Sequence, residues 1–284
     1  MKLLKFTTQL MKALLISLPI FVSSVIAATQ VDSYLSLRAE TTRIVLKTTS
    51  NTPQQVTLKY STPVRLEQIL RDSLLHISTL TQDAKNIEEQ HSSPSDIYWA
   101  GASLVDMSQP LDKTNIIKAL DKIQAQWTDQ QASSHANAIH ALKHWLDTNL
   151  KNTRLHITLD FDVVLIEPSF NPIIAGEYSL ILPPRPKHVL VLGATTEPQT
   201  VEWQERKSAN YYLNKIEILE DADNSYVWVI QPDGVAEKHP IAYWNQNHLD
   251  IAPGAIVYLG YKSFPSISKD LNQEIVNLLK NWAL

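Results

Sequence analysis

The sequence has 284 residues, a formal net charge of −4 and 44% apolar residues, a composition typical of a folded globular protein long enough for about two domains. It contains no cysteine, which excludes disulfides, thiolate metal sites and cysteine nucleophiles. Its six glycines are never closer than six positions apart, which excludes a Walker or GxGxxG phosphate-binding loop.

The N-terminus has the pattern of a secretory signal peptide. Three lysines and no acid precede or flank an apolar run at residues 13–22. Ala27 completes a small-residue cleavage pattern, so we expect residues 1–27 to be removed and the mature chain to begin at Ala28. A membrane anchor is the alternative, but it needs about 20 apolar residues. Removal would change the charge from −4 to −7, and an acidic chain without clustered lysine and arginine is not expected to bind nucleic acid.

The next segment predicts a β-hairpin followed by a helix. β-branched residues alternate over residues 42–48 and 54–60, with turn-forming residues between them. Apolar residues then recur at helical spacing from Leu66, and the pair Thr62-Pro63 has the hydroxyl and ring that favour a helix start. A hairpin followed by a helix is the opening of a β-grasp domain.

Residues 106–150 interrupt the strand pattern with two predicted antiparallel helices. Two apolar stripes at helical spacing are separated by a break at residues 128–134, where Ser133 or Ser134 is a candidate N-cap. Strand patterning resumes at residues 154–166 and 177–182. We therefore interpret the two helices as an insertion within a β domain.

The proline-rich segment 183–186 is the predicted domain boundary, because its prolines cannot donate ladder hydrogen bonds. A second β-grasp domain is predicted by a helix near 208–218, a Pro-Asp-Gly turn and strand-like runs at 189–192, 226–231 and 255–261. The last segment predicts an amphipathic helix. We favour its docking on its own domain over contact with a partner or a membrane.

These patterns predict an α+β protein with two tandem β-grasp (ubiquitin-like) domains. The predicted division is a signal peptide at 1–27, a first domain at 28–185 with the helical hairpin at 106–150, a second domain at 186–265 and a C-terminal amphipathic helix at 266–284.

Catalytic signatures are weak. Asp160 and Asp162 alternate on a predicted strand, where two carboxylates on one side could act on a glycan; solvated surface charge is the alternative. His140 and His144 share a predicted helix face without an accompanying glutamate, so no metal site is predicted. We predict no catalytic residue, metal or cofactor.

Two candidate ligand sites remain. Tyr243, Trp244 and Asn245 combine aromatic platforms with an amide and could contact a sugar, although a structural use of these residues is favoured. Arg154 stands where the helical insertion returns to a strand. Its planar fork could bind backbone carbonyls or an anionic ligand.

Seven short segments, taken in order, resemble the capsule biosynthesis GfcC family over residues 97–284. They are residues 99–104, 154–155, 176–178, 193–194, 232–234, 242–245 and 253–260.

The resemblance implies a periplasmic protein of two tandem β-grasp domains, arranged like the periplasmic SLBB-like domains of outer-membrane polysaccharide exporters. It also implies that Arg154 lines a central pocket. We therefore expect a monomeric, non-enzymatic accessory protein of capsule or exopolysaccharide assembly and export. Its expected partners are the polysaccharide, an outer-membrane polysaccharide exporter, or both. The alternative is a periplasmic polysaccharide-modifying enzyme that uses paired carboxylates.

Overall fold

The computed structural model describes residues 41–82, 97–245, 247–265 and 271–284. The predicted signal peptide lies outside these residues. Among them, no helix is long and apolar enough to span a bilayer.

The described residues form twelve strands and six α helices, which makes this a mixed α+β protein. The strands are β1 (Thr42–Lys47), β2 (Val56–Tyr60), β3 (Val64–Arg65), β4 (Ser103–Pro110), β5 (Asn152–Leu155), β6 (Ile173–Ile174), β7 (Gly176–Ile181), β8 (His188–Gly193), β9 (Gln199–Glu202), β10 (Tyr226–Ile230), β11 (Ala236–Pro240) and β12 (Ile256–Leu259). The helices are α1 (Leu66–Gln82), α2 (Thr114–Asp129), α3 (Ser133–Asn149), α4 (Phe161–Ile166), α5 (Ala209–Leu213) and α6 (Leu271–Leu279).

The first sheet has the strand order β2-β1-β7-β4-β5. β1 runs parallel to β7, and the other neighbours are antiparallel. The buried side chains Ile44 and Leu46 of β1 share a core with Leu66 and Ile69 of α1. The predicted hairpin and following helix are therefore confirmed.

The predicted helix start after Thr62-Pro63 is wrong. Val64 and Arg65 instead pair with Ile174 and Ile173 as the two-stranded sheet β3–β6, so the chain stays extended until Leu66. This short sheet fixes the entry of α1 before its apolar face reaches the core.

The second sheet has the order β11-β10-β12-β8-β9, with β8 parallel to β12. When the strands of each sheet are numbered along the chain, both sheets read 2-1-5-3-4 with the first and last strands parallel. All four residues of β12 are buried, and they belong to the core that this sheet shares with the helices packed on it. The proline-rich segment 183–186 connects β7 of the first sheet to β8 of the second.

The inserted helices α2 and α3 leave the first sheet after β4 and return to it at β5, yet they pack against the second sheet. Leu120 and Ile123 of α2, together with Ile139 and Leu142 of α3, belong to the same buried core as β8, β10, β12 and α6. The two helices are confirmed. Their predicted start at residue 106 is wrong, because residues 106–110 continue β4.

Neither Ser133 nor Ser134 caps α3. Ala132 occupies the N-cap position, and no side-chain cap bond is present there. The other end of α3 is stabilised instead by Lys113, whose Nζ donates to the carbonyls of Asp147 and Leu150 at 2.9 and 2.8 Å. A cation at a helix C-terminus is favourable because the free carbonyls there carry partial negative charge.

Residues 154–166 are not the single strand that was predicted. β5 ends at Leu155, and α4 begins at Phe161 because Asp160 is its N-cap. The Oδ1 of Asp160 accepts hydrogen bonds from the backbone N–H groups of Asp162 and Val163 at 3.1 and 3.2 Å. The predicted helix at 208–218 is likewise shorter, spanning only Ala209–Leu213.

The final helix α6 is docked, as favoured from the sequence. Leu271, Ile275, Val276 and Leu279 are buried in the core of the second sheet. The ring of Trp282, just beyond α6, lies 5.3 Å from that of Trp145 in α3. The helical insertion and the C-terminal helix therefore stabilise each other on one sheet.

This packing predicts a large energetic role for the insertion. Leu120→Ala should lower the free energy of unfolding by about 2–5 kcal/mol, because it removes buried methyl groups and leaves a cavity. The measurement is urea denaturation followed by circular dichroism. Leu75→Ala is the matched control: Leu75 is 73% exposed on α1, and its truncation should change stability by no more than about 0.5 kcal/mol. Equal losses for the two variants would contradict the packing.

Candidate functional site

Two cavities lie on either side of the turn Pro232–Gly234. The first, the Arg154 pocket, has a volume of about 600 Å³ and is lined by Trp99, Ala100, Ala102, Arg154, residues 156–160, residues 233–236 and Lys280. The second, the Arg185 groove, has a volume of about 790 Å³ and is lined by Tyr98, Ala100, Arg185, Trp203, Glu205, Arg206, residues 231–233 and residues 250–253. Ala100 and Asp233 line both cavities, so the two are neighbours.

Arg154 is only 5% exposed, and its guanidinium binds two backbone carbonyls. Nη1 donates to the carbonyl of Trp282 at 2.7 Å, and Nη2 donates to that of Ala102 at 3.0 Å. These bonds link β5 to the start of β4 and to the segment after α6. Of the two roles left open by the sequence, carbonyl binding is therefore present. Binding of an anionic ligand stays a prediction.

The backbone of Arg154 is held as well. Its N–H donates to Oδ1 of Asn281 at 3.1 Å, while Nδ2 of Asn281 donates to the carbonyls of Asn277 and Leu278 at the end of α6. One amide side chain thus caps the helix and anchors β5. The position of Arg154 in the pocket depends on the docking of α6.

The pocket contains a fixed positive charge. Burial lowers the pKa of Arg154 to about 10, and the nearby carboxylate of Asp233 opposes this change. A group with this pKa remains protonated at neutral pH. Lys280 lines the same pocket and adds a second cation.

His156 lines the same pocket as these charges. Burial lowers its pKa, the cations Arg154 and Lys280 lower it further, and Asp233 opposes them. The ring packs against the Pro-Asp-Gly turn: a Cβ on Gly234 would lie 3.0 Å from the ring, and φ of Gly234 is +87°. Glycine is therefore needed at this position for both its backbone conformation and its lack of a side chain.

The structure does not bring Tyr243, Trp244 and Asn245 to Arg154. None of the three lines the Arg154 pocket or the Arg185 groove as described. Tyr243 and Trp244 are 93% and 74% exposed in the turn after β11. Asn245 donates from Nδ2 to the carbonyl of Ser225 at 3.0 Å, which stabilises that turn. Sugar contact by the two exposed rings stays a prediction.

Asp160 and Asp162 do not form the paired-carboxylate arrangement that was considered. They lie at the start of α4 rather than on a strand, and the carboxylate of Asp160 accepts two backbone hydrogen bonds. Asp160 lines the Arg154 pocket, whereas Asp162 is absent from its described lining. The sequence suggested a pair because alternate residues of a strand point to the same side, but these two residues lie at the start of a helix.

Sequence reasoning missed the central residues of the Arg185 groove. The Cζ of Arg185 lies over the rings of Tyr98 and Trp203, 5.5 and 5.2 Å from their centroids. Residues 183–186 were interpreted only as a boundary. The local pattern that could have pointed to Arg185 is its position between two prolines, because the backbone of such a residue is restricted.

The carbonyl contacts of Arg154 predict a stability loss on truncation. Arg154→Ala should lower the free energy of unfolding by about 2–4 kcal/mol in urea denaturation at pH 7, because two carbonyls lose charged donors. Arg65→Ala is the control, because Arg65 also donates to a backbone carbonyl, that of Asn171 at 2.8 Å, but from an exposed position. Arg65→Ala should cost less than about 1 kcal/mol. A loss as large as that of Arg154→Ala would contradict a special stabilising role for the two buried carbonyl bonds of Arg154.

The cations around His156 predict its titration. Its pKa, measured by NMR on histidine ring carbons, should lie below the ordinary 6.5 and rise in a Lys280→Gln variant. Because the folded state then binds fewer protons than the unfolded state, its contribution to stability should decrease as the pH falls below 6.5. Lys118→Gln, on the exposed side of α2, is the control and should leave this pKa unchanged. A His156 pKa above 6.5 would contradict the effect of burial and of the two neighbouring cations.

Comparison with known proteins assigns the chain to a family. Two family models match it: "Capsule biosynthesis GfcC, N-terminal" over residues 78–185, and "Capsule biosynthesis GfcC C-terminal" over residues 197–283. The uncharacterized protein YjbG of Escherichia coli (strain K12) is 32% identical over 166 residues, which are 57% of this chain. The match spans 66% of the length of that relative. The order of the matched models follows the order of the two sheets, and the chain belongs to the capsule biosynthesis GfcC family.

Proposed function

We propose that this protein is a non-enzymatic periplasmic accessory protein for the assembly and export of a capsule or exopolysaccharide. Family membership implies a role in capsule biosynthesis. The observation that carries the finer proposal is the Arg154 pocket, a preformed cavity in which the buried guanidinium of Arg154 and the side chain of Lys280 place two cations beside the carboxylates of Asp160 and Asp233. Such a cavity suits recognition of an acidic group on a glycan or on a partner protein.

The architecture supports an adaptor role. We infer that each five-stranded sheet is a β-grasp domain, because both have the order 2-1-5-3-4 with parallel first and last strands and a helix after the second strand. The inserted hairpin and α6 fill a common core with the second sheet. Two domains held in this way would present a rigid surface to a partner.

The side chains of the Arg154 pocket favour ligand binding over catalysis. Arg154 uses two of its N–H groups on carbonyls, and a guanidinium has five N–H donors. The remaining donors can serve an anionic group. Asp160, the carboxylate in the pocket that was considered for acid–base chemistry, accepts two backbone N–H groups as a helix cap. The other carboxylate in the described lining is that of Asp233, in the turn.

Localisation and partners complete the proposal. The basic and apolar pattern of residues 1–27 supports export to the periplasm. There the protein would contact the capsular or extracellular polysaccharide, an outer-membrane polysaccharide exporter, or both. Crosslinking in intact cells followed by affinity purification tests this: recovery of an exporter or of polysaccharide supports the proposal, and recovery of neither contradicts it.

Lys280 offers a functional test that avoids the structural role of Arg154. Lys280→Glu reverses a charge in the pocket, and we expect it to reduce surface polysaccharide in a strain whose own gene is deleted. The amount of polysaccharide is measured on whole cells, and urea denaturation of the purified variant verifies its folding. Lys118→Glu, an exposed charge reversal on α2, is the control and should support normal levels.

Two results would contradict this proposal. A normal amount of surface polysaccharide in cells with folded Lys280→Glu protein would show that the Arg154 pocket is not needed for the function. Reproducible shortening or modification of a polysaccharide by the purified wild-type protein would show that it is an enzyme.

A further inference from the structure

The Arg185 groove contains an arginine whose donors are unused within the described residues. The guanidinium of Arg185 lies over the rings of Tyr98 and Trp203. The side chain is exposed to the groove, and no ion pair or hydrogen bond of its N–H groups occurs in the part of the chain that the structure describes. Two aromatic rings support this exposed guanidinium, yet no anionic side chain of the described residues pairs with it.

The arginine is held in place by its backbone. Pro184 and Pro186 flank it, and a residue that precedes proline is restricted to extended conformations. Pro184 forms a β-bridge with Ile97, and the N–H of Tyr98 donates to the carbonyl of Pro183 at 2.8 Å. The backbone that carries Arg185 is therefore joined directly to the backbone that carries Tyr98.

The second ring is fixed independently. The backbone N–H of Trp203 donates to the carbonyl of Lys187 at 2.8 Å, and its indole Nε1 donates to the carbonyl of Ile251 at 2.7 Å. Arginine–aromatic contacts use the face of the guanidinium, whereas its N–H donors point outward in the plane of the group. The rings can therefore orient the cation and leave those donors free for a ligand.

The surroundings narrow the class of ligand. A guanidinium binds a planar carboxylate through two parallel hydrogen bonds. Three acids line the groove, Glu205, Asp233 and Asp250, and they outnumber its two arginines, Arg185 and Arg206. The lining therefore disfavours a densely charged polyanion or a phosphate, while each acid can accept hydrogen bonds from hydroxyl groups. The volume of about 790 Å³ lies within the range of ligand sites. A sugar bearing one carboxylate and several hydroxyls satisfies all of these features.

We propose that the Arg185 groove binds a uronic acid residue of a glycan chain, with Arg185 on the carboxylate and the acids of the groove on the sugar hydroxyls. The inference rests on the proposed function only in that the ligand is a glycan. It assigns a site separate from the Arg154 pocket, across the turn that contains Asp233.

Isothermal titration of the full chain with three defined probes tests the proposal. Hyaluronan hexasaccharide carries uronic acid, chitin hexasaccharide is neutral, and inorganic phosphate carries charge without a sugar. We expect binding of the hyaluronan probe, weaker binding of the chitin probe by about tenfold or more, and no competition by phosphate.

Variants locate the binding in the groove. Arg185→Gln should weaken hyaluronan binding by about tenfold or more, and Arg185→Lys should give an intermediate loss, because lysine retains the charge but lacks the fork. Arg43→Gln, which removes an exposed arginine of β1 that does not line the groove, is the matched control. Its affinity should equal that of the wild type.

Several outcomes would overturn the proposal: no binding of the uronate probe at millimolar concentration, equal binding of the acidic and neutral probes, displacement by phosphate, or unchanged affinity in Arg185→Gln. Each concerns the groove alone. Loss of surface polysaccharide in Lys280→Glu cells would still support the proposed function in that case, and retained uronate binding would support the groove even if the Lys280 test failed.

Discussion

The burial of α2 and α3 against the second sheet is the interaction on which the remaining structure depends. The chain connects these helices to strands β4 and β5 of the first sheet, but Leu120, Ile123 and Ile139 are completely buried in the core of the second sheet. β5 follows directly after α3, so this packing also determines where β5 and Arg154 lie. The contact between Trp145 and Trp282 then positions the carbonyl that Arg154 binds. The apolar packing of α2 and α3 thus determines where the guanidinium of Arg154 lies.

The two cavities differ in how they hold their arginines. In the Arg154 pocket the guanidinium is buried and bonded to carbonyls, so it contributes to the fold as well as to the local charge. In the Arg185 groove the guanidinium is supported by aromatic faces and keeps its donors available within the described structure. The carboxylate of Asp233 lines both cavities and moderates the positive charge between them.

Local periodicity accounts for the elements that were predicted from sequence. The hairpin β1–β2, the helices α1, α2, α3 and α6, and the turn at Pro232–Gly234 all follow from patterns within a short window. α4 was misassigned because a run rich in β-branched and aromatic residues favours a strand, while the side chain of Asp160 caps a helix. A single capping residue outweighed the propensity of the residues after it.

The contacts of the two arginines depend on residues far apart in the sequence, so local patterns did not predict them. Tyr98, Arg185 and Trp203 meet through a β-bridge and two backbone hydrogen bonds, which no local pattern encodes. Arg154 was singled out from the sequence as a candidate ligand residue, and its binding of an anionic ligand stays a prediction. Its bonds to Trp282 and Ala102 depend on residues 128 and 52 positions away. The contacts of Arg154 could therefore not be predicted from the sequence.

The contact between Asn281 and the backbone of Arg154 has a further consequence. β5 is an outer strand of its sheet, and the outward N–H groups of such strands can recruit strands from other molecules. Oδ1 of Asn281 occupies the N–H of Arg154 on this border. The segment that follows α6 therefore covers part of this sheet edge, and the bond that holds β5 at the Arg154 pocket also removes a free N–H group from that edge.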